Sequence, residues 1–233
     1  MRNWKWLVTA ALPLLLWMLP AAGVPVWSGA AEEPAPPPKA APGGAGSGAG
    51  GFYGVEVRAE KRVVFLVDVS GSMGAVTPEG GSRLDVMKRE LRRAVGSAAA
   101  SANRIGAPKE AGNFRVWAFS SGLQLFPDLE PCSFRDRTAV ERLNRFVGAL
   151  GAGGSTNMLM AWRKILELTK HGQLDTVYFL SDGDPSDCSA EELKRLLTCL
   201  PKDVTVHCFA IGLDSPLLRE IAAAHNGNYV VRM

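Results

Sequence analysis

Charge of either sign is scarce in excess. The chain sets 26 Lys and Arg against 23 Asp and Glu, a net +3 over 233 residues. No acidic residue precedes Glu32, and Arg2 and Lys5 supply two of the surplus charges, so the remainder carries +1 (3 − 2). A nucleic-acid partner would need a concentrated basic stripe, and that class is excluded. Histidine is equally rare, with His171, His207 and His225 scattered along the chain. His171 ends a helix, where a cation suits the dipole, and His207 alternates with apolar residues in a strand. There is no G-x-S-x-G elbow and no G-x-x-x-x-G-K-[ST] phosphate loop, so neither an activated serine nor a nucleotide cradle is offered. Internal repeats are absent. These absences point away from an enzyme.

What is present begins with an export-like leader. Arg2 and Lys5 precede the apolar run Leu7 to Leu19, and small residues follow at Ala21, Gly23, Ser28 and Ala30. Residues 1–30 therefore read as a signal peptide or an N-terminal anchor. Residues 6–27 are long enough to cross a ~30 Å bilayer, although Pro13, Pro20 and Pro25 oppose a straight spanning helix. No Cys lies near the leader, which argues against a lipid-modified one. Residues 31–51 form a disordered linker, stiff in its Pro half and flexible in its Gly half. Its GSGAGG neither follows a strand nor opens a helix, so it is no dinucleotide loop. The protein is expected outside the cytoplasm: periplasmic, secreted or anchored.

Residues 52–233 read as a folded domain. The segment VVFLVDVSGSMG, residues 63–74, drives an apolar run with no polar face into Asp68, Ser70 and Ser72. Such a run is a strand covered on both faces. A helix follows, with Leu84, Met87, Leu91, Val95 and Ala98 at helical spacing and Ser82 as its N-cap. NFRVWAFSS and LQLFP form a hairpin around Gly122. RTAVERLNRFVGAL is a helix, GAGGSTN a tight loop, and MLMAWRKILELTKH another helix. TVYFLSDGDP repeats the strand-then-acid pattern through Ser181, Asp182 and Gly183. SAEELKRLLTCL carries a Ser189/Glu192 capping box. VTVHCFAIG is a strand, SPLLREIAAAH a helix with Pro216 in its first turn, and NYVVRM a last strand. FYGVEV is a short leading strand or a clamp.

This alternation implies an α/β, doubly wound, Rossmann-like sheet. It is mostly parallel and six-stranded, has one antiparallel edge strand, and carries helices on both faces. Counting from the strand over 62–69, the expected order is 3-2-1-4-5-6. The order reverses between the strands ending at Asp68 and at Ser181–Asp182, and ligands bind outside the carboxyl ends at such a point. Asp68, Ser70, Ser72 and Asp182 should ring one crevice, with Thr156 of GAGGSTN in reach.

Two carboxylates and three hydroxyls are hard oxygen donors, suited to Mg²⁺, Mn²⁺ or Ca²⁺ rather than zinc. The three loops DVSGS, GGSTN and LSDG, in that order, resemble von Willebrand factor type A domains over roughly residues 60–233. The resemblance implies a metal-ion-dependent adhesion site: metal ligands Asp68, Ser70, Ser72, Thr156 and Asp182, holding Mg²⁺ with Mn²⁺ as substitute. It also implies a protein partner that offers an acidic side chain to the ion. Side chains of the three loops, including Met73, Met158 and Asp184, are expected to flank that contact. Asp184 and Asp187 read as loop and cap residues or as groups facing that partner. The competing functions are a structural envelope scaffold with an incidental metal site and, further off, a Mg²⁺-dependent hydrolase. Four Cys allow three complete pairings. Cys188 and Cys199 flank a helix too long to bridge, and Cys208 reads as buried, leaving one disulfide at most.

Overall fold

The run Val63–Val67 has no polar face because it is buried on both sides. In the computed structural model, which describes residues 51–232 other than Glu79, Pro108, Asp128 and Leu129, it is the centre of strand β3 (Arg62–Asp68). Val63, Phe65 and Val67 enter one core layer, while Val64 and Leu66 enter the other. The expected leader and all but the last residue of the expected linker lie outside the described residues.

Strand β3 pairs in parallel with β4 (Asn113–Phe119) on one side and β7 (Thr176–Ser181) on the other. Beyond β7 lie β8 (Thr205–Ile211) and β9 (Tyr229–Arg232), both parallel. Beyond β4 lies β5 (Leu123–Phe126), antiparallel. The order β5-β4-β3-β7-β8-β9 is the expected 3-2-1-4-5-6, reversing at the expected pair. One element was not foreseen: β6 (Cys132–Ser133) adds two antiparallel residues to β4, so the sheet has seven strands rather than six. A two-residue strand carries no periodicity to read.

Helices α1 (Arg83–Ala102) and α2 (Arg137–Ala149) cover one face of the sheet, and α3 (Met158–Thr169), α4 (Ala190–Leu197) and α5 (Pro216–Ala224) the other. Ser82 caps α1 in a full box with Asp85, whereas at α4 Ser189 accepts the Glu192 N–H. FYGVEV is a clamp: β1 (Gly51–Phe52) and β2 (Val55–Glu56) form a hairpin on the α1 side, turned by Tyr53 and Gly54 at φ 48° and 85°. It drives Phe52 edge-on against Phe65 and Phe209, with centroids 5.4 and 4.9 Å away, and the Tyr178 hydroxyl donates to the Glu56 carbonyl at 2.6 Å. All four cysteines are free thiols, and Cys208 is fully buried. Among the described residues no helix is long and apolar enough to cross a membrane.

Candidate functional site

The site lies where β3 and β7 end side by side. Asp68, the last residue of β3, is fully buried, and its two oxygens hold two different segments. Oδ1 accepts the Ser70 N–H at 2.7 Å, which turns the chain into a short 3₁₀ segment, Gly71–Gly74. Oδ2 accepts the Ser181 hydroxyl at 2.6 Å, tying the end of β3 to the end of β7. Burial pushes the Asp68 carboxyl above the usual range. The Ser181 and Ser70 hydrogen bonds oppose that shift, and the negative charge of Asp182 adds to it.

Asp182 follows β7, and its side chain is wholly buried. Ser72 Oγ donates to its Oδ1 at 2.7 Å, and Ser70 Oγ lies 3.1 Å from Ser72 Oγ. The single Ser72 proton is committed to the carboxylate, so Ser70 is the donor in the second contact. A chain Ser70–Ser72–Asp182 therefore runs across the first and third loops. The other oxygen of Asp182, Oδ2, accepts from Arg83 Nη1 at 2.7 Å.

The GAGGSTN loop closes on this group through its backbone. The Gly153 N–H donates to the Val69 carbonyl at 2.9 Å, and the Gly154 carbonyl accepts the Gly71 N–H at 3.0 Å. Gly154 sits at φ +79°, and a Cβ there would meet Ser121 Oγ at 2.6 Å, so only glycine lets the loop approach this closely. Thr156 donates its N–H to Ser186 Oγ at 2.8 Å and accepts the Ser186 N–H at 2.9 Å. Its hydroxyl has no hydrogen bond among the described residues. Asp187 then caps α3, taking the Leu159 and Met160 N–H groups at 3.1 Å each.

Four of the five expected residues, Asp68, Ser70, Ser72 and Asp182, are thus joined by hydrogen bonds or close contact. Thr156 joins them through its loop rather than its side chain. Asp187 is a cap, for α3 rather than for its own helix, and Asp184 is exposed. One expectation fails: Met73 and Met158 are both fully buried, so neither flanks a partner. They serve the core beneath the loops, and the exposed apolar residues on the same loop ends are Val76 (79%) and Leu213 (43%). Sequence reasoning also missed Arg83, Ser181 and Ser186. Arg83 had a signal: it is the first residue of α1, where a cation opposes the dipole and needs another reason to be there. Among the described residues no group of three or more His, Cys, Asp or Glu gathers, so any cation held here must draw on hydroxyls as well.

A doubly wound, mostly parallel sheet with its antiparallel strands β5 and β6 on the β4 side, and acid-and-hydroxyl loops at its switch point, defines the class. A sequence model of the von Willebrand factor type A domain matches residues 107–231, more than half of the chain. The chain belongs to the von Willebrand factor type A domain family. Among solved structures it is similar to a von Willebrand factor type A protein from Catenulispora acidiphila, with 23% identity and a TM-score of 0.53. That match covers 75% of this chain and 39% of the other, so the chain spans well under half of that relative. It is also similar to the PilB minor pilin from Streptococcus sanguinis (12% identity, TM-score 0.55, 77% and 58% covered) and to the SpRpn10 VWA domain (15%, 0.52, 73% and 86%). No match is found among curated proteins. At these identities the structural likenesses establish the fold alone.

Proposed function

We propose that the domain is a protein-binding module that holds Mg²⁺, or Mn²⁺ in its place, with Asp68, Ser70, Ser72, Thr156 and Asp182, and takes an acidic side chain of a partner as the ion's last ligand. The observation that carries this reading is Asp68. Its carboxylate is buried, and among the described residues no cation pairs with it. A buried charge without a counter-charge costs several kcal/mol. Four of the five proposed ligands are already in mutual contact around it, and the Thr156 hydroxyl has no competing bond.

The ion, when bound, would supply a Lewis-acidic centre that attracts a carboxylate. The chain's own residues do the rest. Asp68 and Asp182 provide charge, the three hydroxyls provide neutral oxygen donors, and Ser181 holds the Asp68 carboxylate in position. Because hydroxyls add no negative charge, such a site keeps the ion electron-poor, and an anionic ligand completes it better than water does. Val76 and Leu213 offer apolar contacts beside it. In this reading the segment over 1–30 acts as an export signal and the domain works outside the cytoplasm. A scaffold role would make the metal incidental.

Affinity capture from an envelope extract, with and without chelator, tests the proposal. The partner should be retained only with divalent metal. It should be lost when its anchoring acid becomes Gln or Asn, and weakened by Thr156→Ala without loss of fold. Equal retention in chelator would transfer the case to the scaffold.

A further inference from the structure

Arg83 is an oddly placed cation. It opens α1, where its charge opposes the helix dipole, yet its Nη1 reaches Asp182 Oδ2 at 2.7 Å. The guanidinium is packed as well as paired. A Cβ on Gly212, just beyond β8, would fall 2.3 Å from Arg83 Nη2, 2.4 Å from Cζ and 2.5 Å from Nε. The end of β8 has no side chain where the guanidinium lies, and Gly212 there adopts φ +81°. Asp182 itself is fully enclosed, with Ser72 on its other oxygen, and among the described residues Arg83 is the cation that pairs with it.

We infer that Arg83 is a built-in counter-ion that occupies Asp182 in the metal-free protein and weakens divalent-cation binding at the same site. The inference rests on the metal reading above. Two carboxylates and one guanidinium sum to −1 (−2 + 1), so a divalent ion meets half the charge that two unpaired carboxylates would offer. Arg83 also holds one oxygen of Asp182. Both effects act against metal affinity. Conversely, they leave the loaded site with a net +1 (+2 − 1), which favours an anionic partner. Arg83 thus makes loading conditional on divalent concentration and strengthens the attraction for an acid once loading has occurred. In the absence of metal it keeps the third loop docked.

Calorimetric titration of the full chain with MnCl₂, together with thermal unfolding in chelator and in excess Mn²⁺, tests this. Arg83→Gln should bind Mn²⁺ about 10-fold more tightly than the wild type, within the usual range of site-to-site coupling. R83M, which keeps the stem and removes the charge, should do the same, and it serves if R83Q does not fold. R83K keeps the charge and should stay within about 3-fold of the wild type. In chelator R83Q should melt below the wild type, and the gap should narrow in excess Mn²⁺. Wild-type binding with equal or weaker binding in both R83Q and R83M overturns the role of Arg83 alone. No binding in the wild type and in both charge-removing variants overturns the metal reading, and this inference with it.

Discussion

Asp68 shows how one residue links fold to site. It ends the buried strand β3, so its carboxylate is out of water. It is tolerated there because Ser70 and Ser181 each donate to one of its oxygens. Asp68, Ser70, Ser72 and Asp182 were legible in the sequence because an acid at the end of an apolar strand, repeated in a second strand, is a local pattern. Ser181 and Arg83 were not, because their roles depend on contacts across 113 and 99 positions of chain. Ser181→Ala should leave one oxygen of a buried carboxylate without its donor. The expected loss is about 1–3 kcal/mol in chelator, read by denaturant unfolding. A variant as stable as the wild type would mean that the Ser181–Asp68 bond carries no weight.

At the scale of elements, hydrophobic periodicity located the strands and helices that build the sheet, and capping chemistry set the start of α1. The errors have a common origin. Strand β6 is made by its neighbour β4 rather than by its own two residues, and Met73 and Met158 face inward because the loops fold over them. Asp187 was readable as a cap but not as a cap for α3, since that contact crosses between the second and third loops. It fastens the loop bearing Asp182 to the helix that begins just after Thr156. Asp187→Ala should remove both acceptors at the α3 N-terminus. A loss of about 1 kcal/mol is expected, with faster amide exchange at Leu159 and Met160. Unchanged exchange at those two amides would show that the loops are held by other contacts.

For the molecule as a whole, the six-strand order and its reversal followed from alternation and handedness, whereas the hairpin clamp at residues 51–56 needed the folded core to define it. The clamp side also carries a pH dependence. His207 lies in β8 against the Tyr178 ring at 5.0 Å and accepts the Asn228 N–H at Nδ1. Burial, aided by the charge of Arg58, pushes its pKa down from 6.5 to about 4. The folded state therefore binds fewer protons than the unfolded chain between those values. This contribution is complete above about pH 6.5 and is lost as pH falls toward 4. His225, also lowered by burial, acts in the same sense. Stability should fall by roughly 2 kcal/mol between pH 7 and pH 4.5 through His207, and His207→Gln should flatten the curve in that window. An identical pH profile in the variant would contradict the assignment.

The central claim is that the loops at the carboxyl ends of β3 and β7 hold a divalent cation. Isothermal titration of the full chain with MgCl₂ and MnCl₂, beside Asp68→Ala, tests it most directly. The account predicts one site per chain in the wild type and none in Asp68→Ala, with a native circular dichroism spectrum for both. Equal metal affinity in the two proteins would contradict it.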